Sequence, residues 1–143
     1  MVEFVLIQIR SGAKRSNTML GSSKLLATIP AVDIQRAEEF YTRVLGLSVA
    51  GKPLEGVLIL EAGAGSQIMI YEREATKAEH TAATFLVNDL ERVVKDLTAK
   101  GVQFEQYDFD EYQTDELGLA QMGSVKMAWL KDPEGNVLGL GSF

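Results

Sequence analysis

The sequence predicts an α+β fold in which two βαβββ modules pair curved mixed sheets around a cleft. Two observations predict it: an internal repeat that opens each half, and three strand candidates that follow each copy. Residues 27–36 (ATIPAVDIQR) and 83–92 (ATFLVNDLER) share Ala, Thr, Asp and Arg at matching places, with Ile against Phe and Ile against Leu as apolar exchanges. In each copy the first half holds β-branched and apolar residues suited to a strand, and an Asp stands where a helix would begin.

Residues 1–23 stand outside the repeat. Residues 3–9 suit an added edge strand and 11–23 read as a polar connector. Together they are expected to be an extension without chemistry, upstream of a natural start at Met19. The first module is placed at 24–76 and the second at 77–143, forming one domain. After Asp33, the apolar residues Ile34, Ala37, Phe40, Tyr41, Val44 and Leu45 recur at three and four, which marks one helix face. Gly46 stops that helix. Strands are expected at 47–50, 57–61 and 67–72. After Asp89 the same spacing appears in Leu90, Val93, Val94 and Leu97, with Gly101 as the stop, and strands are expected at 102–107, 125–131 and 137–142. The last hairpins turn at 62–66 (AGAGS) and 132–136 (DPEGN), the second with Pro133 pre-setting a turn dihedral and Gly135 and Asn136 tolerating a left-handed conformation.

Composition narrows the chemistry. With 143 residues, 46% apolar and 24% charged, the chain suits one globular domain with a substantial core. It has no Cys, which removes disulfides, thiolate metal sites, Cys nucleophiles and iron–sulfur clusters; its single His80 removes any multi-His site within one chain. No apolar run approaches the roughly 20 residues that span a bilayer, and the charge in the opening MVEFVLIQIR is misplaced for a signal peptide. A cytoplasmic protein without membrane contact is therefore expected. A net charge of −6 argues against the clustered basic surface that nucleic acid requires. Six acids, Glu105, Asp108, Asp110, Glu111, Asp115 and Glu116, fall in one stretch without a base, while elsewhere 14 acids balance 14 bases.

Three segments in order, 32–47 (VDIQRAEEFYTRVLGL), 85–102 (FLVNDLERVVKDLTAKGV) and 132–140 (DPEGNVLGL), resemble the glyoxalase, bleomycin-resistance and extradiol-dioxygenase superfamily, also called vicinal oxygen chelate (VOC) proteins. The resemblance covers residues 24–143 and implies the glyoxalase/bleomycin-resistance fold. Enzymes of that family hold a divalent metal on the first and last strand of each module. The resemblance carries those positions to Leu26 and Met69 in the first module and to Ala82 and Gly139 in the second. None is an imidazole, carboxylate or thiolate donor, so no metal or other cofactor is expected. The loss weakens the enzyme reading and leaves the fold reading intact. Family members that sequester drugs without metal become the nearest functional precedent.

Inward-pointing strand residues of both modules are the candidates for a ligand pocket: Thr28, Met69, Tyr71, Thr84, Met127 and Trp129. For Met69 and Met127 flexible core filler is the favoured reading over ligand contact, whereas Trp129 offers a large flat surface. Phe40 and Tyr41 are assigned to packing. Segment 104–118 interleaves Phe104, Tyr107, Phe109 and Tyr112 with the six acids, a composition that suits a cationic organic molecule or, on the plainer reading, a solvated loop. Tyr107 and Tyr112 join the candidate set. His80 has a pKa suited to acid–base work but no recognisable partner, so no catalytic residue is assigned beyond this weak candidate. Ser22, Ser23, Ser66 and Ser124 lack a nucleophile elbow, and Gly63 and Gly65 form a turn and no phosphate loop. The leading expectation is a metal-independent binder of a small aromatic or cationic molecule, assembled as a homodimer. The alternatives are a lyase, isomerase or dioxygenase with a displaced metal, and a non-catalytic subunit or regulatory domain.

Overall fold

The computed structural model describes Leu20, Gly21 and residues 23–143, so the expected edge strand at 3–9 and most of the connector lie outside the described residues. The first module runs β1 (Ala27–Ala31), α1 (Ile34–Glu39) with a π-helical continuation (Phe40–Val44), β2 (Ser48–Leu54), β3 (Val57–Glu61) and β4 (Gln67–Glu72). The second runs β5 (Thr81–Leu86), α2 (Leu90–Ala99), β6 (Ala120–Met122), β7 (Val125–Lys131) and β8 (Val137–Ser142). Each builds a four-stranded sheet, in the orders β1-β4-β3-β2 and β5-β8-β7-β6. The pairs β1–β4 and β5–β8 are parallel and the rest antiparallel. Among the described residues no helix is long and apolar enough to cross a membrane.

The repeat is visible atom by atom. Asp33 and Asp89 cap the two helices by accepting the backbone N–H groups of Arg36 and Arg92 at 3.1 and 3.4 Å. Gly46 and Gly101 end them at φ +83° and +96°, where L side chains are strained. The amide of Val102 then reaches back to the carbonyl of Leu97 at 3.0 Å, and that of Leu47 to Tyr41 at 2.9 Å. The first closure holds one residue more than the second, and the π-helical turn is where the chain absorbs it.

Two strand expectations are corrected. Residues 102–107 form no strand: Val102 is committed to closing α2, and only Phe104 bridges β7, opposite Leu130. The edge place is taken by β6 at Ala120–Met122. The intervening chain is not formless. It folds back on itself through bridges Asp108↔Gln113 and Thr114↔Ala120, closed by the Phe109 amide on the Tyr112 carbonyl at 2.9 Å. Strand β2 also extends past 50 to Leu54, with irregular register around Gly51 and with Pro53 tolerated because β2 is an edge.

Strand alternation divides each sheet into two faces. Ile29, Ala31, Leu58, Leu60, Ile68 and Ile70 of the first sheet share one buried cluster with Ala128, Leu130, Leu138 and Leu140 of the second, and with the apolar faces of both helices. One core therefore serves both modules. Polar bonds join them as well. The buried Tyr41 hydroxyl donates to Asp132 Oδ2 at 2.8 Å, and Asn136 Nδ2 donates to the same oxygen at 2.8 Å and to the Pro30 carbonyl at 3.0 Å. Burial, then the charge and hydrogen bond of Asp132, push the Tyr41 phenol far above its ordinary pKa, so it stays a donor.

Candidate ligand-binding face

The helix-free faces of the sheets collect the residues expected at the site. In the first module Thr28 stands opposite Met69, and Met69 opposite Ile59; Tyr71, two residues on, stands opposite Pro30 and Val57. Thr28 is exposed and Met69 and Tyr71 are half-buried, so this stretch is open to solvent. In the second module Thr84 pairs with Gly139 and Gly139 with Trp129, while Met127 lies beside Gly141 and Ala120.

The two glycines of β8 explain how that half packs. A Cβ on Gly139 would sit 2.9 Å from Thr84 Oγ1 and 3.3 Å from Met127 Cε, and one on Gly141 would sit 2.8 Å from Met127 Sδ. Bare backbone lets the Met127 chain and the Thr84 hydroxyl lie across the strand. Met127, Trp129, Ala120 and Val137 form a second buried cluster on this face, separate from the main core.

Over it folds segment 104–118. The Glu105 amide holds the segment to the sheet by donating to the Trp129 carbonyl at 2.8 Å. Tyr107 meets Trp129 edge-on with centroids 5.3 Å apart, and Tyr112 lies tilted over it at 5.1 Å. Phe109 completes the group, stacked on Tyr107 at 5.5 Å and edge-on to Tyr112 at 5.3 Å. Burial, then the charge of Glu105 and the neighbouring Tyr112, raise the Tyr107 pKa. Covered in this way Trp129 is only 7% exposed, so the surface offered to solvent is that of its tyrosines and of Phe109. Four of the eight expected ligand residues, Tyr107, Tyr112, Met127 and Trp129, are thus one cluster, with Thr84 at its edge; Thr28, Met69 and Tyr71 belong to the other sheet.

The acids of this segment divide. Glu105 pairs with Lys131 at 3.6 Å, and Asp115 Oδ1 accepts the amides of Leu117 and Leu119 at 2.9 Å each. Asp108, Asp110, Glu111 and Glu116 are exposed and form no ion pair among the described residues. His80 is exposed just before β5 and has no hydrogen-bond partner among them.

The four positions to which the resemblance carries a metal do not fit one here. Leu26 and Ala82 offer hydrocarbon, Gly139 no side chain, and Met69 only a thioether. The close contacts at Gly139 leave no room for a donor to be added without displacing Thr84 and Met127. Among the described residues no three His, Cys, Asp or Glu side chains gather as a metal-holding group. Two features were missed in the sequence: the bare β8 backbone, signalled by Gly alternating with Leu in 138–141, and the cavities on the helix side, which depend on how helices and turns of the two modules meet and carry no local signal.

The family model described as Glyoxalase/Bleomycin resistance protein/Dioxygenase superfamily matches residues 25–140. No curated protein sequence is a match. Solved structures share the fold at low identity. An integron cassette protein from the mobile metagenome of the Halifax Harbour sewage outfall superposes with a TM-score of 0.64 at 16% identity, covering 83% of this chain and 97% of its own. TnmS3, an antibiotic binding protein from Streptomyces sp. CB03234, gives 0.59 at 18% identity, with 82% and 92% covered. A lactoylglutathione lyase from Agrobacterium tumefaciens gives 0.59 at 18%, with 85% and 93% covered.

Proposed function

We propose that this protein binds a small organic molecule without metal or turnover, for the chain belongs to the Glyoxalase/Bleomycin resistance protein/Dioxygenase superfamily and departs from it at the metal positions. The observation that carries the reading is the aromatic cluster of Tyr107, Phe109, Tyr112 and Trp129 on the helix-free face, bordered by exposed carboxylates that form no ion pair among the described residues. Aromatic faces attract cations, and exposed acids on a chain of net charge −6 add long-range attraction. The ligand is accordingly a planar aromatic compound, favoured when positively charged. Tyr107 and Tyr112 contact it over the Trp129 floor, Thr84 and Met127 form the near border, and Thr28, Met69 and Tyr71 the far one. The likeness to an antibiotic binding protein supports this reading and the likeness to a lyase weighs against it, both as likenesses of fold. A homodimer is part of the same proposal, with the open edge of β2 as the place where a second copy adds on.

Trp129 is the only tryptophan, so its emission reports on this face alone. Titration with proflavine, a planar aromatic cation, is expected to quench it saturably at one site per chain, with Tyr112→Ala weakening binding about tenfold, the worth of one stacked ring. Absence of saturable quenching, or a Tyr112→Ala affinity equal to wild type, overturns the proposal. Turnover that requires a stoichiometric divalent metal overturns it too.

A further inference from the structure

The two halves repeat each other closely enough that a difference between matching positions is informative. The β3–β4 turn closes by the Ala62 amide on the Ser66 carbonyl, and the β7–β8 turn by the Asp132 amide on the Asn136 carbonyl. Ala62 therefore corresponds to Asp132 and Glu61 to Lys131. The capping aspartates and helix closures likewise match Tyr41 with Leu97 and Leu47 with Val102. On the second-module side the Tyr41 ring is fully buried and bonded to Asp132, and beside it lies a cavity of about 430 Å³ whose lining includes Lys100, Gln103, Glu105, Lys131 and Asp132. On the first-module side the corresponding place is faced by Leu97 and Ala62, which are too short to meet. The matching cavity there, of about 370 Å³, is walled mainly by apolar side chains where its counterpart is walled by charged and polar ones.

Its walls are Leu45, Leu47, Phe85, Val93, Leu97 and Leu140, and at its mouth stand Ser48 and Glu61, direct partners across β2 and β3. A Cβ added to Gly46 or Gly63, which also line it, would meet nothing within 4 Å. The volume lies in the range of small-ligand sites. The charges at the two mouths also differ. Lys131 pairs with Glu105 at 3.6 Å, whereas Glu61, its counterpart, has no ion pair among the described residues. A hydrocarbon chamber with one carboxylate and one hydroxyl at its entrance accepts an apolar body bearing a single positive head.

From this juxtaposition we infer that the helix-side cavity is a second ligand site, independent of the aromatic face, that takes an apolar primary amine with its ammonium at Glu61. The experiment titrates n-octylammonium and, separately, octanoate into ¹³C-methyl-labelled protein. Octylammonium is expected to shift the methyl resonances of Leu45, Leu47, Val93, Leu97 and Leu140 saturably, and octanoate to bind at least about fivefold more weakly. Glu61→Gln, a surface change that leaves the core intact, is expected to weaken octylammonium roughly fivefold, the scale of one half-exposed charge pair. Shifts confined to other methyls, equal affinity for octanoate, or an unchanged affinity in Glu61→Gln would each overturn the inference. Because Trp129 lies on the opposite face, failure here leaves proflavine quenching untouched, and failure there leaves these methyl shifts untouched.

Discussion

Glu134 ties a turn of the second module to the start of α1. Its carboxylate accepts the Val32 amide at 2.8 Å and the Asp33 amide at 3.1 Å, and pairs with Arg36 at 2.7 Å. Burial on its own raises the pKa of Glu134, but the bonds from Val32, Arg36 and Asp33 together hold it below the ordinary carboxylate range. Its side chain is 7% exposed while that of Arg36 is 51% exposed, so the amide bonds carry more of the effect than the solvent-screened ion pair. A folded pKa below the unfolded value of about 4.3 gives stability that is fully present above that value and is lost as the pH falls through the lower folded one. Glu134→Gln is expected to cost about 1–2 kcal/mol at neutral pH, as the loss of a charged cap does. Urea unfolding of both proteins from pH 7 down to pH 3 checks it: the gap should close on acidification, and a constant or widening gap contradicts the assignment. The sequence marked 132–136 as a turn by local chemistry alone. That Glu134 caps a helix about a hundred residues earlier depends on how two modules meet, and nothing local in DPEGN signals it.

Among the elements, segment 104–118 departs furthest from its expected strand, and Gly118 shows why it lies where it does. Gly118 adopts φ +93°, and a Cβ there would fall 2.6 Å from the Phe104 Cβ. Both the left-handed backbone and the close approach demand glycine. Gly118→Ala is expected to destabilise by about 2–3 kcal/mol and to lower Tm by on the order of 5–10 °C. Pushing Phe104 away also loosens the anchor of the aromatic cluster, so Trp129 emission should move to longer wavelength while far-UV ellipticity stays near wild type. An unchanged Tm and spectrum would show that the segment is held from elsewhere. The helices were legible because caps, apolar spacing and terminal glycines act within a few residues. The π-helical turn was legible only in outline: comparing the repeats gives one extra residue between Asp33 and Gly46, but not the wide turn that stores it. The hairpin within 104–118 closes on local bonds between residues 107–109 and 112–114, but no apolar alternation marks its arms, and its placement over the sheet comes from the ties of Phe104 and Glu105 to Leu130 and Trp129.

The whole molecule has one core for two modules, and this decides how it unfolds. The clustered residues run from Ile29 and Ile70 in one sheet to Leu130 and Leu140 in the other, with Tyr41 of the first module bonded to Asp132 of the second. Each half alone would leave its share of that surface in water, with too small a core to offset the entropy of ordering its chain. The candidate site was readable in the same uneven way. Each sheet's face followed from alternation, which brought Met127 and Trp129 together, while Tyr107 and Tyr112 reached them only through the fold of a long connection. The aromatic cluster belongs to the second module alone, so Trp129 emission senses that module whereas far-UV ellipticity senses both. If the shared core couples the halves, the two signals should follow a single thermal transition with the same midpoint. A Trp129 transition that precedes the loss of ellipticity would mean that the second module melts independently, and the interface drawn through Tyr41, Asp132 and Asn136 would then contribute little to stability.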